Sequence, residues 1–160
     1  MTIHTDYYGE IEYEQEDLVV FSDGLFGFPE LRNYLPLYLN EGDDSIILLQ
    51  STEKPEISFM TMNPMFFYPE YSPCLTPEEL SCLDVNDSGE LSYYVICVMK
   101  DDYLENTVNL KCPLVINPNT RMGMQVILEG SPYGFRHKLG SFMDIAEYVD
   151  GRDTDAGSTT

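Results

Sequence analysis

The sequence predicts an all-β domain, mainly antiparallel, with one short helix over residues 77–83. Three observations predict it. Apolar and polar residues alternate with a period of two along most of the chain. The alternating runs are short and rich in β-branched and aromatic residues. Clusters of Gly, Pro, Asn and Asp bound them. Many short strands at this spacing build an antiparallel barrel or a sandwich. The chain has 160 residues, the length of one domain, assigned to residues 1–143, and a fold of that size needs neither disulfide nor metal to hold its core.

The elements follow in order. "GEIEYEQED" (9–17) reads as a strand with Glu10, Glu12, Glu14 and Glu16 on one face and Ile11 and Tyr13 on the other. "LVVF", "YLPLYL", "SIILLQS", "ISFMTMN" and "LSYYVICVMK" are the next strands, separated by the turn segments "SDGLFG", "NEGDD", "EKPE" and "NDSGE". "PELRN" (29–33) carries a weaker helical signal. Thr76 as N-cap, Pro77 at the first helical position and Glu79 closing a capping box start the one clear helix, with Leu80 and Leu83 on one side.

"TVNLKCPLVINPNTRMGMQVIL" (107–128) reads as a hairpin with a dry inner face. One arm aligns Val108, Leu110, Cys112, Leu114 and Ile116; the other aligns Met122, Met124, Val126 and Leu128. Asn117-Pro118-Asn119-Thr120 suits the turn, with Asn119 in the left-handed region. Pro113 makes the first arm an edge strand or breaks it. Asn109, Asn117, Thr120 and Arg121 are expected outside, Arg121 paired with a carboxylate. Residues 144–160 are acidic, then small and polar, and read as a flexible tail.

Eight Lys+Arg stand against 28 Asp+Glu, a net charge of −20. That balance excludes direct nucleic-acid binding and anionic membranes, which need a positive surface, and favours a basic partner. No run approaches the roughly 18 apolar residues of a membrane span, and the N-terminus lacks a signal-peptide pattern, so the chain reads as cytoplasmic. Cys74, Cys82, Cys97 and Cys112 lack metal-ligand spacing. They read as reduced thiols, Cys97 and Cys112 within the core.

Catalysis finds little support. "DVNDSGEL" (84–91) begins like a calcium loop, but its twelfth position is Val95 instead of a bidentate Glu. His137 lies between Arg136 and Lys138, which disfavours metal binding. No nucleophile elbow, phosphate-cradling glycine loop or H-E-x-x-H is present, and neither a cofactor nor a metal is implied. The protein reads as a binding protein, not an enzyme. The acidic row Glu10, Glu12, Glu14 and Glu16, at a repeat of roughly 7 Å, either protects an edge or meets a basic partner. In "PMFFYPEYSP" (64–73), a Pro-rich loop cannot bury every one of Phe66, Phe67, Tyr68 and Tyr71, which makes the loop a candidate contact surface.

Five stretches in order, "GLFGFPEL" (24–31), "LLQS" (48–51), "MNP" (62–64), residues 107–128 and "YGFRHKL" (133–139), resemble the flagellar assembly factor FliW family over roughly residues 7–140. Lys111 and Cys112 depart from the small or apolar residues expected there. The motif positions are Gly24, Gly27, Phe28, Asn63, Pro64, Asn109, Asn117, Arg121, Arg136 and His137. The resemblance implies a small β-barrel-like fold and a protein antagonist. Such a factor binds the carbon storage regulator, a basic RNA-binding translational repressor, and exchanges it for flagellin in a partner switch. The competing reading is a small-ligand barrel, or an enzyme, with its site in the barrel mouth.

Overall fold

The computed structural model describes residues 1–5, 9–40 and 43–142. Its eleven strands are β1 (Thr2–Thr5), β2 (Gly9–Glu12), β3 (Val19–Phe21), β4 (Asn33–Asn40), β5 (Asp43–Ser51), β6 (Ser58–Met62), β7 (Ser92–Val98), β8 (Thr107–Val108), β9 (Leu114–Ile116), β10 (Met122–Gln125) and β11 (His137–Lys138). The one α-helix among the described residues, α1, spans Pro77–Cys82. Thr76 Oγ1 accepts the Glu79 N–H and the Glu79 carboxylate accepts the Thr76 N–H, the capping box expected from the sequence.

β7-β6-β5-β4-β3-β10-β9 pair in that order, and β9 pairs back onto β7, so seven strands close a barrel. Closure satisfies the backbone groups an open sheet would leave at its edges. Every pairing in it is antiparallel except that of β3 with β10, which is parallel. β8 and β11 extend the sheet from the far end of β7, and β1 with β2 forms a separate hairpin.

Two main cores share the barrel wall. Inside lie Val19, Phe21, Leu25, Leu31, Tyr34, Ile47, Leu49, Leu114 and Ile116. Outside, the long connections 63–91 and 126–142 fold back over the wall and bury Tyr71, Leu83, Val95, Cys97, Val108, Leu110 and Val115. Leu114, Val115 and Ile116 are therefore all buried: the first and last face the lumen, the middle one the outer core. The small β1–β2 hairpin covers Leu18 and Leu35 in the same way.

Several expectations need correction. Residues 29–33 form no helix; a turn at 29–30 leads into β4, which begins at Asn33. β2 stops at Glu12, so Glu14 and Glu16 leave the strand row: Glu14 caps a 3₁₀ turn, Gln15–Asp17, and its N–H donates to Asp17 Oδ2 at 2.8 Å. Pro113 does break the first arm of the 107–128 hairpin, which becomes β8, an irregular stretch and β9. In the second arm Gly123 and Gln125 are buried while Met122 is exposed, and a Cβ at 123 would sit 2.8 Å from the Phe21 ring. At the corner the left-handed residue is Arg121 (φ 62°), not Asn119. The segment 144–160, and with it the expected boundary at 143, lies outside the described residues.

Candidate functional site

Glu10 and Glu12 are exposed on β2, opposite His4 and Thr2 of β1. Glu14 and Glu16 are exposed too, on the 3₁₀ turn. The four carboxylates are thus all exposed, but they lack the even strand spacing.

The aromatic loop is divided by burial. Asn63 caps the 3₁₀ turn Pro64–Phe66 by accepting the Met65 N–H at 3.0 Å, and Pro64 is buried at its first position. This presents Phe66 to solvent, 63% exposed. Phe67 and Tyr68 are half-buried against Phe142, with ring centroids 5.3 and 5.0 Å away. Tyr71 belongs to the outer core: its hydroxyl donates to Leu110 O at 2.6 Å, and burial pushes its pKa far above the usual tyrosine value. Tyr71 therefore offers no surface to a partner, and Phe66 is the exposed aromatic of the set.

The motif residues mostly hold the fold. Gly24 has φ +69°, and a Cβ there would lie 2.5 Å from Phe28 O, so a side chain is excluded by both conformation and space. Gly27 also needs positive φ, but in open space. Phe28 stacks edge-on against Phe59 at 5.3 Å. Asn109 Oδ1 accepts the Cys112 N–H at 3.0 Å. Asn117, expected outside, is buried: its Nδ2 donates to Leu83 O at 2.8 Å while its Oδ1 accepts the Asn119 N–H, tying the β9–β10 corner to the end of α1. Arg121 meets backbone rather than a carboxylate, donating from Nε to Leu18 O and from Nη2 to Asp17 O at 3.2 and 2.8 Å. Arg136 is exposed. His137 Nε2 accepts the Gly134 N–H at 2.7 Å, which orients its ring beside Phe142.

Cys97 and Cys112 are buried, and burial raises both thiols, Cys97 to about 11; Cys74 and Cys82 are exposed. In 84–91 the carboxylates bind backbone: Glu90 Oε2 accepts the Asn86 and Asp87 N–H groups, and Asp87 Oδ1 accepts that of Gly89. Among the described residues no group of His, Cys, Asp and Glu is arranged to hold a metal, and no helix is long and apolar enough to cross a membrane.

One feature escaped the sequence reading, and a second bears on the competing barrel-mouth reading. Gln125, buried in β10, accepts the Phe26 N–H and donates to Cys112 O, joining the 24–31 turn to the segment between β8 and β9. A single polar residue in an apolar run was the only sign of it. The second is a cavity of about 130 Å³ at one end of the lumen, lined by Val19, Ile47, Leu49, Thr61, Ile116 and Arg121 among others.

These features define a class: a small closed β-barrel with a second core outside its wall. The FliW protein family matches residues 2–139. The flagellar assembly factor FliW of Ruminiclostridium cellulolyticum is 34% identical over 139 residues, covering 87% of this chain and 94% of its own. That of Syntrophomonas wolfei is 37% identical over 139 residues, covering 87% and 88%. A crystal structure of the flagellar assembly factor FliW superposes with a TM-score of 0.81 at 34% identity, over 87% of this chain and 96% of that one. The chain belongs to the FliW family of flagellar assembly factors.

Proposed function

We propose that this assembly factor works in the cytoplasm by binding and not by catalysis, as an antagonist of the RNA-binding carbon storage regulator that also takes flagellin as a second partner. The observation that carries this reading is the charge: −20 over 160 residues, with Glu10, Glu12, Glu14 and Glu16 all exposed. A strongly negative surface attracts a basic RNA-binding protein and, once bound, repels the phosphates that protein would otherwise hold. Phe66, beside the exposed Met65, supplies an apolar anchor of the kind that dominates interface energetics. In the switch, free flagellin occupies the factor and leaves the regulator to repress; exported flagellin releases the factor to sequester the regulator.

Calorimetric titration with each partner, then with both together, tests this reading. Binding to each with mutual coupling is expected. Glu10→Lys with Glu12→Lys, both on an exposed face, is expected to slow association with the regulator by about tenfold or more while changing dissociation little. Folded protein that binds neither partner would end the proposal.

A further inference from the structure

The lumen tapers. At its filled end the inward positions carry Phe21, Tyr34 and Phe59, with Phe21 and Tyr34 in edge-to-face contact at 5.6 Å. Two residues along the same strands, still on the inward face, stand Val19, Pro36 and Thr61, while Ser92 lies two before Tyr94 on β7. Large side chains give way to small ones, and the wall, held by backbone pairing, does not collapse to follow. The result is the cavity of about 130 Å³. Tyr38 and Pro118 on its rim are exposed, so it opens to solvent. A pocket of comparable size, about 150 Å³ and apolar, accommodates benzene.

The charged group at this mouth is Arg121. Its two backbone hydrogen bonds, to Leu18 O and Asp17 O, aim the guanidinium without neutralising it. Among the described residues it forms no ion pair. Thr61 contributes no competing donor, since its hydroxyl is given to Ile47 O at 2.8 Å. The backbone at 121 holds a φ of 62°, a conformation that disfavours side chains, and this brings the cation to the rim of an apolar chamber.

We propose that the barrel mouth binds a small monocarboxylate whose apolar part is about the size of a benzene ring or a branched four-carbon group. The apolar part enters among Val19, Ile47, Leu49 and Ile116, and the carboxylate meets the Arg121 guanidinium. A cation is disfavoured by Arg121, and a phosphate dianion would be stripped of water against apolar walls. The overall charge of −20 opposes an anion only at long range, where salt screens it beyond roughly 8–10 Å, while contact with a half-buried guanidinium is screened less. Added salt therefore speeds entry of the carboxylate, the opposite of its effect on a basic partner.

Sodium benzoate and isovalerate are the probes, with benzyl alcohol and benzylamine as controls. Benzoate at millimolar concentration is expected to raise the melting temperature saturably and to shift the NMR signals of Val19, Thr61 and Ile116 in the unaltered protein. Arg121→Asn keeps a residue that tolerates the left-handed conformation and is expected to weaken benzoate about tenfold or more while leaving benzyl alcohol unchanged. Ser92→Phe, which fills the chamber, is expected to abolish both. The proposal is overturned if neither acid gives a saturable response in the folded unaltered protein, if shifts fall away from the mouth, or if benzylamine binds as well as benzoate.

Discussion

The two cores on either side of the barrel wall are built differently. The lumen is enclosed by strands whose backbone pairing sets its width, so side chains must fit a fixed space: aromatic rings fill one end and a cavity remains at the other. The outer core is covered by connections with little regular structure, so the cover adapts to the side chains beneath it. Long-range polar links then pin that cover: Tyr71 to Leu110 O and Asn117 to Leu83 O. A rigid frame tolerates voids and forbids adjustment; a soft cover adjusts but needs hydrogen bonds to hold one arrangement.

The largest expected effect breaks packing in each core. Phe21 and Leu110 are both 0% exposed. Phe21→Ala in the lumen should cost about 3–5 kcal/mol, because the wall cannot close on the space left behind. Leu110→Ala should cost about 2–3 kcal/mol, near the low end for such truncations, as the outer cover relaxes. Urea unfolding measures both, and equal costs would mean that the cover is as stiff as the barrel.

A smaller effect sharpens the contrast through two tyrosines. Tyr71→Phe leaves the buried Leu110 carbonyl without its partner and should cost about 1–3 kcal/mol. The Tyr34 hydroxyl, buried in the lumen, has no hydrogen-bond partner among the described residues. Tyr34→Phe should therefore be neutral or stabilising. A shift of the urea midpoint downward for Tyr34→Phe as large as for Tyr71→Phe would contradict the distinction.

The smallest effect is in alkaline solution. Burial raises Cys97, in the outer core, from 9.0 to about 11. Burial, aided by Glu53 and Glu30, raises Tyr34, in the lumen, from 10.0 to about 12. Both groups hold their protons more tightly when folded, so their contribution is complete below pH 9 and is lost as pH rises through the folded values. Cys97→Ala should flatten the loss of stability between about pH 9 and 11, and Tyr34→Phe that between about 10 and 12. Unfolding midpoints across that range provide the measurement; unchanged slopes in both variants would show that neither group governs it.

The same contrast explains what was legible in the sequence. Strands around the lumen announce themselves by alternation, and α1 by Thr76, Pro77 and Glu79, because these signals are local. The outer core has no period: Tyr71 and Leu110 lie 39 positions apart, and nothing near either says that they meet. Asn117 looked like a turn residue and is one, yet its second bond, to Leu83 O, depends on where α1 ends. Arg121 was expected to find a carboxylate among many; it found carbonyls because the corner's left-handed residue fell at 121 and turned its side chain toward β3. Alternation likewise marked Glu10 through Glu16 as one row, where a three-residue capping turn was enough to end the strand.

The parallel pairing of β3 with β10 also bears on how the chain is made. It joins Val20 to Met122, with Arg121 bonded to Leu18 across 103 positions of sequence. During synthesis β3 must wait for its neighbour on the order of 5–20 s at ordinary elongation rates, and a topology so rich in distant contacts closes slowly once complete. Throughout that wait the nascent sheet has open edges able to join those of a neighbouring chain. The acidic residues at 10, 12, 14 and 16 emerge just ahead of β3, so the unfinished sheet is born beside like charges that hold two growing chains apart.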